Sequence, residues 1–162
     1  MAEQVDKVEL LRRLDAEHGR LQAVIASLTT EEMQQAGVVG DWSLKDLIGH
    51  LIPHQQFALQ ELEHALRGEP FAVASNSADT TNERAVIEGR QQSLTQVLAA
   101  WNQSYREVVS AVESLPDAAF DPAGPVVRAL GDTIDGALAN NTYAHYAEHL
   151  PEIEAWIACS QG

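Results

Sequence analysis

The 162-residue chain is long enough to bury the core of one domain, and its 45% hydrophobic content is typical of a folded globular protein. Its formal net charge of -14 and its 10 scattered lysine and arginine residues oppose binding to nucleic acid, because a polyanion is bound by clustered cations. We therefore expect a single domain over residues 1–162 that does not bind nucleic acid.

The N-terminal segment MAEQVDKVELLRRLDAEH lacks the basic segment and apolar run of a secretory signal. No stretch approaches the about 18 to 20 continuous apolar residues of a membrane span. We therefore predict a cytoplasmic protein without a membrane partner. Cys159 is the single cysteine, which excludes an intramolecular disulfide, and its place near the C-terminus predicts no catalytic role.

The first predicted helix extends from Glu3 to Leu28, where apolar residues recur at intervals of three, four and seven positions. This spacing is typical of one buried stripe on an amphipathic helix. A short helical turn should follow, with Thr29 or Thr30 as its N-cap.

The second predicted helix begins after Ser43, a natural N-cap that forms a capping-box-like pair with Asp46. It ends near Arg67. Pro53 lies inside it and should kink it, because proline has no N–H to donate and its ring clashes with the preceding turn.

The remaining chain predicts a polar loop, FAVASNSADTTN, and then a third long helical pattern from Val86 to Leu115. The segment LPDAAFDPAGPVVRALGDT has three prolines and two glycines and predicts a connection rather than an element. A fourth helix should extend from near Thr133 to about Ala158. Because no segment alternates with a period of two, we predict an all-α four-helix bundle.

Two histidines, His145 and His149, are four residues apart on the inward face of the fourth helix, in the stretch NNTYAHYAEHL. This spacing puts both rings on one side of a helix, although such a pair is also common among structural histidines. His50 lies beside the apolar stripe of the second helix and offers a third imidazole. Three histidines from two helices would leave a metal position open, as catalytic sites do.

Other polar residues have weaker claims to a functional role. His54 comes one turn after His50 and could replace it or add a fourth nitrogen. We interpret Glu148 and Glu152 as a solvated acidic face of the helix. The alternative is that one of them orients a metal-binding histidine or acts as a general base. We expect His18 and His64 to be structural or solvated. Tyr143 and Tyr146 should be packing residues whose hydroxyls are solvated.

The segment DWSLKDLIGHL, followed about 95 residues later by NTYAHYAEHLPEIEAW, resembles the DinB-like (DinB/YfiT-like) superfamily over essentially the whole chain. The resemblance implies a four-helix bundle with a long crossover, for which EPFAVASNSADTTN has a suitable length. In metal-binding members, a histidine near the start of the second helix and an H-x3-H pair in the fourth bind a divalent ion. The matching positions here are His50, His145 and His149.

Within this superfamily, WSLKDLIGHL, the region of Asn82 and NNTYAHYAEHL are most similar to the group that contains the colibactin self-protection protein. That group is associated with opening a reactive cyclopropane ring and does not depend obviously on the metal triad. Many of its members have an aromatic residue where this chain has His54. The difference implies either a fuller metal site or a different pocket wall.

Two functions remain open. The first is a metal-dependent hydrolase or thiol S-transferase, in which a divalent ion (Zn, Ni, Mn or Fe) activates water or a low-molecular-weight thiol against a small electrophilic substrate. The second is a metal-independent small-molecule binding or self-resistance protein with an aromatic pocket between the helices. The candidate pocket residues are Trp42, Phe57, Trp101, Tyr105 and Trp156. Because cyclic dimers are the commonest assemblies, we also predict a homodimer.

Overall fold

The structure, a computed structural model, describes residues 5–71 and 78–161. Its α-helices are α1 (Lys7–Ala26), α2 (Leu44–Leu66), α3 (Ala78–Arg90), α4 (Leu94–Glu113), α5 (Pro125–Leu130), α6 (Ile134–Ala139) and α7 (Tyr143–Gln161). Short 3-10 turns cover Glu32–Gln34 and Asp117–Phe120. Within the described ranges no residue lies in a β-strand, so the all-α prediction is confirmed. None of the described helices is both long enough and apolar enough to cross a membrane.

The four long helices form a bundle in which α1 packs against α7 and α4, and α2 packs against α4. The shorter helices α3 and α5 also pack against α2. The buried side chains fall into two groups. The first core cluster includes Leu47, Leu51, Trp101, Tyr146 and Leu150, and the second core cluster includes Leu10, Leu14, Leu62, Val112 and Ile134.

The capping box predicted at the start of α2 is present. The Asp46 backbone N–H donates to Ser43 Oγ at 3.1 Å, and the Ser43 backbone N–H donates to Asp46 Oδ2 at 3.1 Å. Asp46 also forms an ion pair with Arg90 of α3 at 3.2 Å. The Asp46 carboxylate therefore caps the start of α2 and also binds α3 to it through Arg90.

The prediction of one long third helix was wrong. The structure has a break between α3 and α4, because Ser93 caps α4 through a second capping box with Gln96. The Ser93 backbone N–H donates to Gln96 Oε1 at 2.8 Å, and this signal was already visible as S-L-T-Q. The predicted polar loop is also shorter than expected, since α3 begins at Ala78, while residues 72–77 lie outside the described residues.

The segment between α4 and α6 was also predicted incorrectly, because it contains the 3-10 turn and α5. Pro125 stands in the first turn of α5, and Gly131 follows its end with a φ of 70°, a left-handed conformation that suits glycine. The fourth predicted helix is divided in two. Thr133 caps α6 as expected, but the helix ends at Ala139 and a new one starts at Tyr143.

Candidate metal centre

Three imidazoles from two helices meet at the side of the first core cluster. His145 Nε2 of α7 lies 3.2 Å from His50 Nε2 of α2 and 3.0 Å from His149 Nε2, one turn further along α7. One nitrogen of each residue lies within 4.8 Å of those of the other two. The structure therefore brings together the three histidines that the sequence singled out.

The position of these residues in the helices explains their burial. His50 follows the buried stripe of Leu47 on α2, and His145 is next to Tyr146 in the core. His50 and His145 are 5% and 8% exposed. The His149 side chain is 14% exposed, so the cluster meets solvent on the His149 side.

The environment keeps the central histidine neutral. Burial, together with repulsion from the charged forms of the neighbouring imidazoles of His54, His149 and His50, lowers the pKa of His145 to about 3. A neutral imidazole is the form that binds a metal ion. At physiological pH His145 is therefore ready to act as a ligand without first losing a proton.

The donor set fits a divalent ion. Two imidazole nitrogens bound tetrahedrally at about 2.0 to 2.1 Å from one zinc ion are about 3.3 Å apart, close to the 3.0 and 3.2 Å distances here. Imidazole suits several borderline metals, including zinc, nickel and iron. These three histidines could therefore hold a metal ion, with at least one position left for a further ligand.

An acidic side chain lies behind the exposed member of the cluster. Glu152 Oε2 is 3.4 Å from His149 Nδ1, whereas Glu148 is exposed without such a contact among the described residues. Ligating histidines often bind a carboxylate through their second nitrogen, which fixes the ring orientation. Both carboxylates are exposed, as the solvated acidic face predicts, and the contact with His149 leaves the alternative outer-sphere role open for Glu152.

His54 lies beside the cluster but outside the triad. Its ring centroid is 4.7 Å from that of His50 and 4.5 Å from that of His145. Its Nδ1 is 2.9 Å from Oδ1 of Asn141, in the turn just before α7. The group of nitrogens close enough to share one ion does not include His54. His54 therefore forms part of the wall of the site, where it joins α2 to α7.

A buried hydrogen-bond chain next to the site was missed by the sequence analysis. The Tyr146 hydroxyl donates to Gln55 Oε1, and Gln55 Nε2 donates to Ser104 Oγ, so that α2, α4 and α7 are connected. Burial also raises the pKa of Tyr146. The predicted solvated hydroxyl is wrong for Tyr146, and it is also wrong for Tyr143, which donates to Asp135. A glutamine on the apolar stripe of α2 was the available signal.

The two remaining histidines are structural, as predicted. His18 stacks on Tyr105 with ring centroids 3.5 Å apart, and burial lowers its pKa to about 4. His64 Nδ1 lies 2.8 Å from the Gln60 carbonyl oxygen. Neither belongs to the cluster.

The proposed aromatic residues do not share one pocket wall. Trp101 is fully buried in the first core cluster, and Phe57 packs on Phe71 with ring centroids 5.0 Å apart. Trp42 does reach the site, since its ring centroid is 5.1 Å from that of His50. Among these residues, Trp42 is the one with a direct ring contact to the triad in the described part of the chain.

The fold and the cluster define a helical-bundle protein with a candidate three-histidine metal site. Residues 14–148 match the family described as Mycothiol maleylpyruvate isomerase N-terminal domain, and the chain belongs to this family. This family is DinB-like and all-helical, which confirms the resemblance at that level, while membership of the colibactin self-protection group stays a prediction. The match includes His50 and His145, and His149 follows directly after its end.

A solved structure supports the same fold. The crystal structure of an uncharacterised protein from Escherichia coli UTI89 superimposes with a TM-score of 0.77 at 16% sequence identity. The similarity covers 96% of this chain and 95% of that chain. At this identity the likeness shows the fold alone. No curated protein matches the chain.

Proposed function

We propose that this protein is a divalent-metal-dependent enzyme, of the hydrolase or thiol S-transferase type, that acts on a small electrophilic substrate. The observation that carries the proposal is the convergence of the Nε2 atoms of His50, His145 and His149. Family membership supports it, because the family is named after an isomerase that uses a low-molecular-weight thiol, mycothiol. A thiol co-substrate is therefore part of the proposal.

The roles of the residues follow from their surroundings. His50 and His145 would bind the ion from the buried side of the site, since both are almost fully buried. His149 would bind it from the solvent side, held in orientation by Glu152. A bound divalent ion lowers the pKa of a water or thiol ligand and so supplies a nucleophile at neutral pH. Trp42 would shield the His50 side of the site.

Metal binding by protein purified without a histidine tag tests the proposal. We expect one zinc or cobalt ion per chain, and we expect His149→Ala to lose most of the affinity. His64→Ala is the matched control, because it removes an imidazole from α2 outside the cluster, and it should bind like the wild type. Ligand binding that needs no metal and survives His145→Ala would instead favour the small-molecule binding or self-resistance function.

The assembly state belongs to the same proposal. We propose a homodimer, on the general ground that twofold dimers are the commonest assemblies of soluble chains. A mass measured by light scattering at micromolar concentration tests it. A monomeric mass would contradict the dimer without affecting the metal site.

A further inference from the structure

We infer that Gln55 is a positioning residue for the three-histidine site, because it fixes His145 of α7 against His50 of α2. This inference rests on the proposed function, since it assigns a further residue to the same site. Gln55 acts through Tyr146, the residue that follows His145 on α7.

The two helices that carry the histidines are both interrupted near the site. Proline has no N–H to donate, so Pro53 leaves α2 without one backbone hydrogen bond, three residues after His50. Pro151 has the same effect on α7, two residues after His149. The rigidity of the two helices alone therefore does not fix the separation of the three imidazoles.

The central imidazole has no hydrogen bond that orients it from behind. A ligating histidine normally donates its second ring N–H to a carboxylate, a carbonyl or water, which fixes the ring. Glu152 lies at that nitrogen of His149, but His145 Nδ1 is buried and has no hydrogen-bond partner in the described part of the chain. The position of His145 therefore depends on where its stretch of α7 lies.

Gln55 holds that stretch of α7 from the core. Its Oε1 accepts a hydrogen bond from the Tyr146 hydroxyl, and its Nε2 donates to Ser104 Oγ. Ser104 Oγ in turn donates to the Trp101 carbonyl oxygen at 2.9 Å, so the chain of hydrogen bonds ends on the backbone of α4. Hydrogen bonds depend on both distance and angle, so this chain defines how far α7 stands from α2 and α4.

The stability of the fold does not by itself explain these polar groups. Gln55 and Tyr146 are both fully buried. When both partners of a buried hydrogen bond are replaced by apolar groups of the same shape, the free energy of unfolding can remain nearly unchanged. An apolar pair would therefore serve packing equally well. What the polar pair adds is a fixed geometry directly beside His145.

Zinc binding by a set of variants tests the inference. Gln55→Met removes the acceptor of Tyr146, and Gln55→Met/Tyr146→Phe removes both partners and should regain much of the stability that the single variant loses. We expect the zinc dissociation constant to rise at least about tenfold in both variants. Val112→Ala is the control, because it lowers stability from the second core cluster and should keep the wild-type affinity.

The double variant separates positioning of the site from support of the fold. If the hydrogen-bond chain served stability alone, zinc affinity would return together with the midpoint of urea unfolding. A wild-type dissociation constant in the double variant, or an equal loss of affinity in Val112→Ala, would overturn the inference. Circular dichroism shows which variants are helical. Tyr146→Phe keeps the whole ring and replaces Gln55→Met in the comparison if that variant does not fold.

The inference can also be decided in the metal-free protein. The ring centroids of His50 and His145 are 5.0 Å apart, which is close enough for nuclear Overhauser effects between their ring protons. We expect these effects to be lost or weakened in the double variant and unchanged in Val112→Ala. Unchanged effects in the double variant would overturn the inference. Absence of zinc uptake by the wild type would overturn the proposed function instead, and the ring comparison would still decide the role of Gln55.

Discussion

His50 and His145 are 95 positions apart in the chain, yet their Nε2 atoms are 3.2 Å apart. Two neutral imidazoles can stand this close only if one donates a proton to the other or if both lone pairs face a shared ion. His149 approaches the same His145 nitrogen at 3.0 Å. The His145 Nε2 atom has either one N–H or one lone pair, so it cannot form a linear hydrogen bond with both neighbours at once. The arrangement therefore favours three nitrogens that bind one shared metal ion.

The first prediction concerns the pH dependence of metal binding. We expect zinc to raise the melting temperature at pH 7.5 and to raise it much less at pH 5.5. Histidine ligands must be neutral to bind, so protons compete with the ion for the ligands other than His145, whose pKa of about 3 keeps it neutral at both pH values. Differential scanning fluorimetry checks this. Magnesium is the control, since it prefers oxygen ligands and should have little effect at either pH.

The second prediction concerns acid stability. Burial lowers the pKa of His18 to about 4, below the ordinary 6.5 that it has when the chain is unfolded. Between these values the unfolded state binds more protons, so this residue makes the free energy of unfolding fall as pH drops from about 6.5 to 4. His18→Phe keeps the stacking on Tyr105 and removes the titration. Urea denaturation at several pH values should give a shallower fall, and an unchanged slope would contradict the assignment.

The third prediction concerns the buried link between α2 and α7. Tyr146→Phe leaves Gln55 Oε1 buried without its donor, so we expect a loss of about 1 to 3 kcal/mol in the free energy of unfolding. Tyr105→Phe removes the same atom from a half-buried ring and should cost less. Denaturant titration measures both. Equal costs would show that the Gln55 hydrogen bond has no special weight.

The sequence was sufficient for the parts of the fold that depend on local pattern. The apolar period of α1 and α2 predicted both helices, and Ser43 with Asp46 marked where α2 begins. The helix boundaries were predicted wrongly where a helix cap interrupts a continuing apolar period. Ser93 starts α4 within an unbroken stripe, so the periodicity suggested one helix where two exist.

The site was predictable as far as residue types and helical spacing allow. His145 and His149 share a face because they are one turn apart, and His50 was added because it lies beside the apolar stripe of the second helix, a position that the family resemblance also supports. The contacts of Gln55 and Asn141 were not predictable, because they depend on how α2 and α7 meet in space. Helix crossing is decided by packing of many side chains, and no local pattern encodes it.

The fourth prediction concerns the cap of α2. Ser43→Ala should lower the free energy of unfolding by about 1 kcal/mol, because the Asp46 N–H loses its acceptor. Ser110→Ala is the control, because it removes a hydroxyl from an exposed position within α4, away from the helix ends. Alanine is the better helix former there, so this change should leave the free energy of unfolding unchanged or raise it slightly. Thermal unfolding of the two variants makes the comparison. A larger loss for Ser110→Ala would contradict the role of the capping box.

The last prediction concerns His54, whose ring touches the cluster without a nitrogen close enough to share its ion. If His54 only joins α2 to Asn141, His54→Phe should still bind one zinc ion per chain. Its affinity should fall by about tenfold to a hundredfold at most, which is the usual effect of losing an outer contact. His145→Ala should abolish specific binding, because it removes the nitrogen that both other ligands approach. Calorimetry gives stoichiometry and affinity together, and circular dichroism of the metal-free variants shows whether both remain helical. If His54→Phe loses the bound ion while remaining helical, then His54 is a ligand, and the three-histidine assignment must be extended to four.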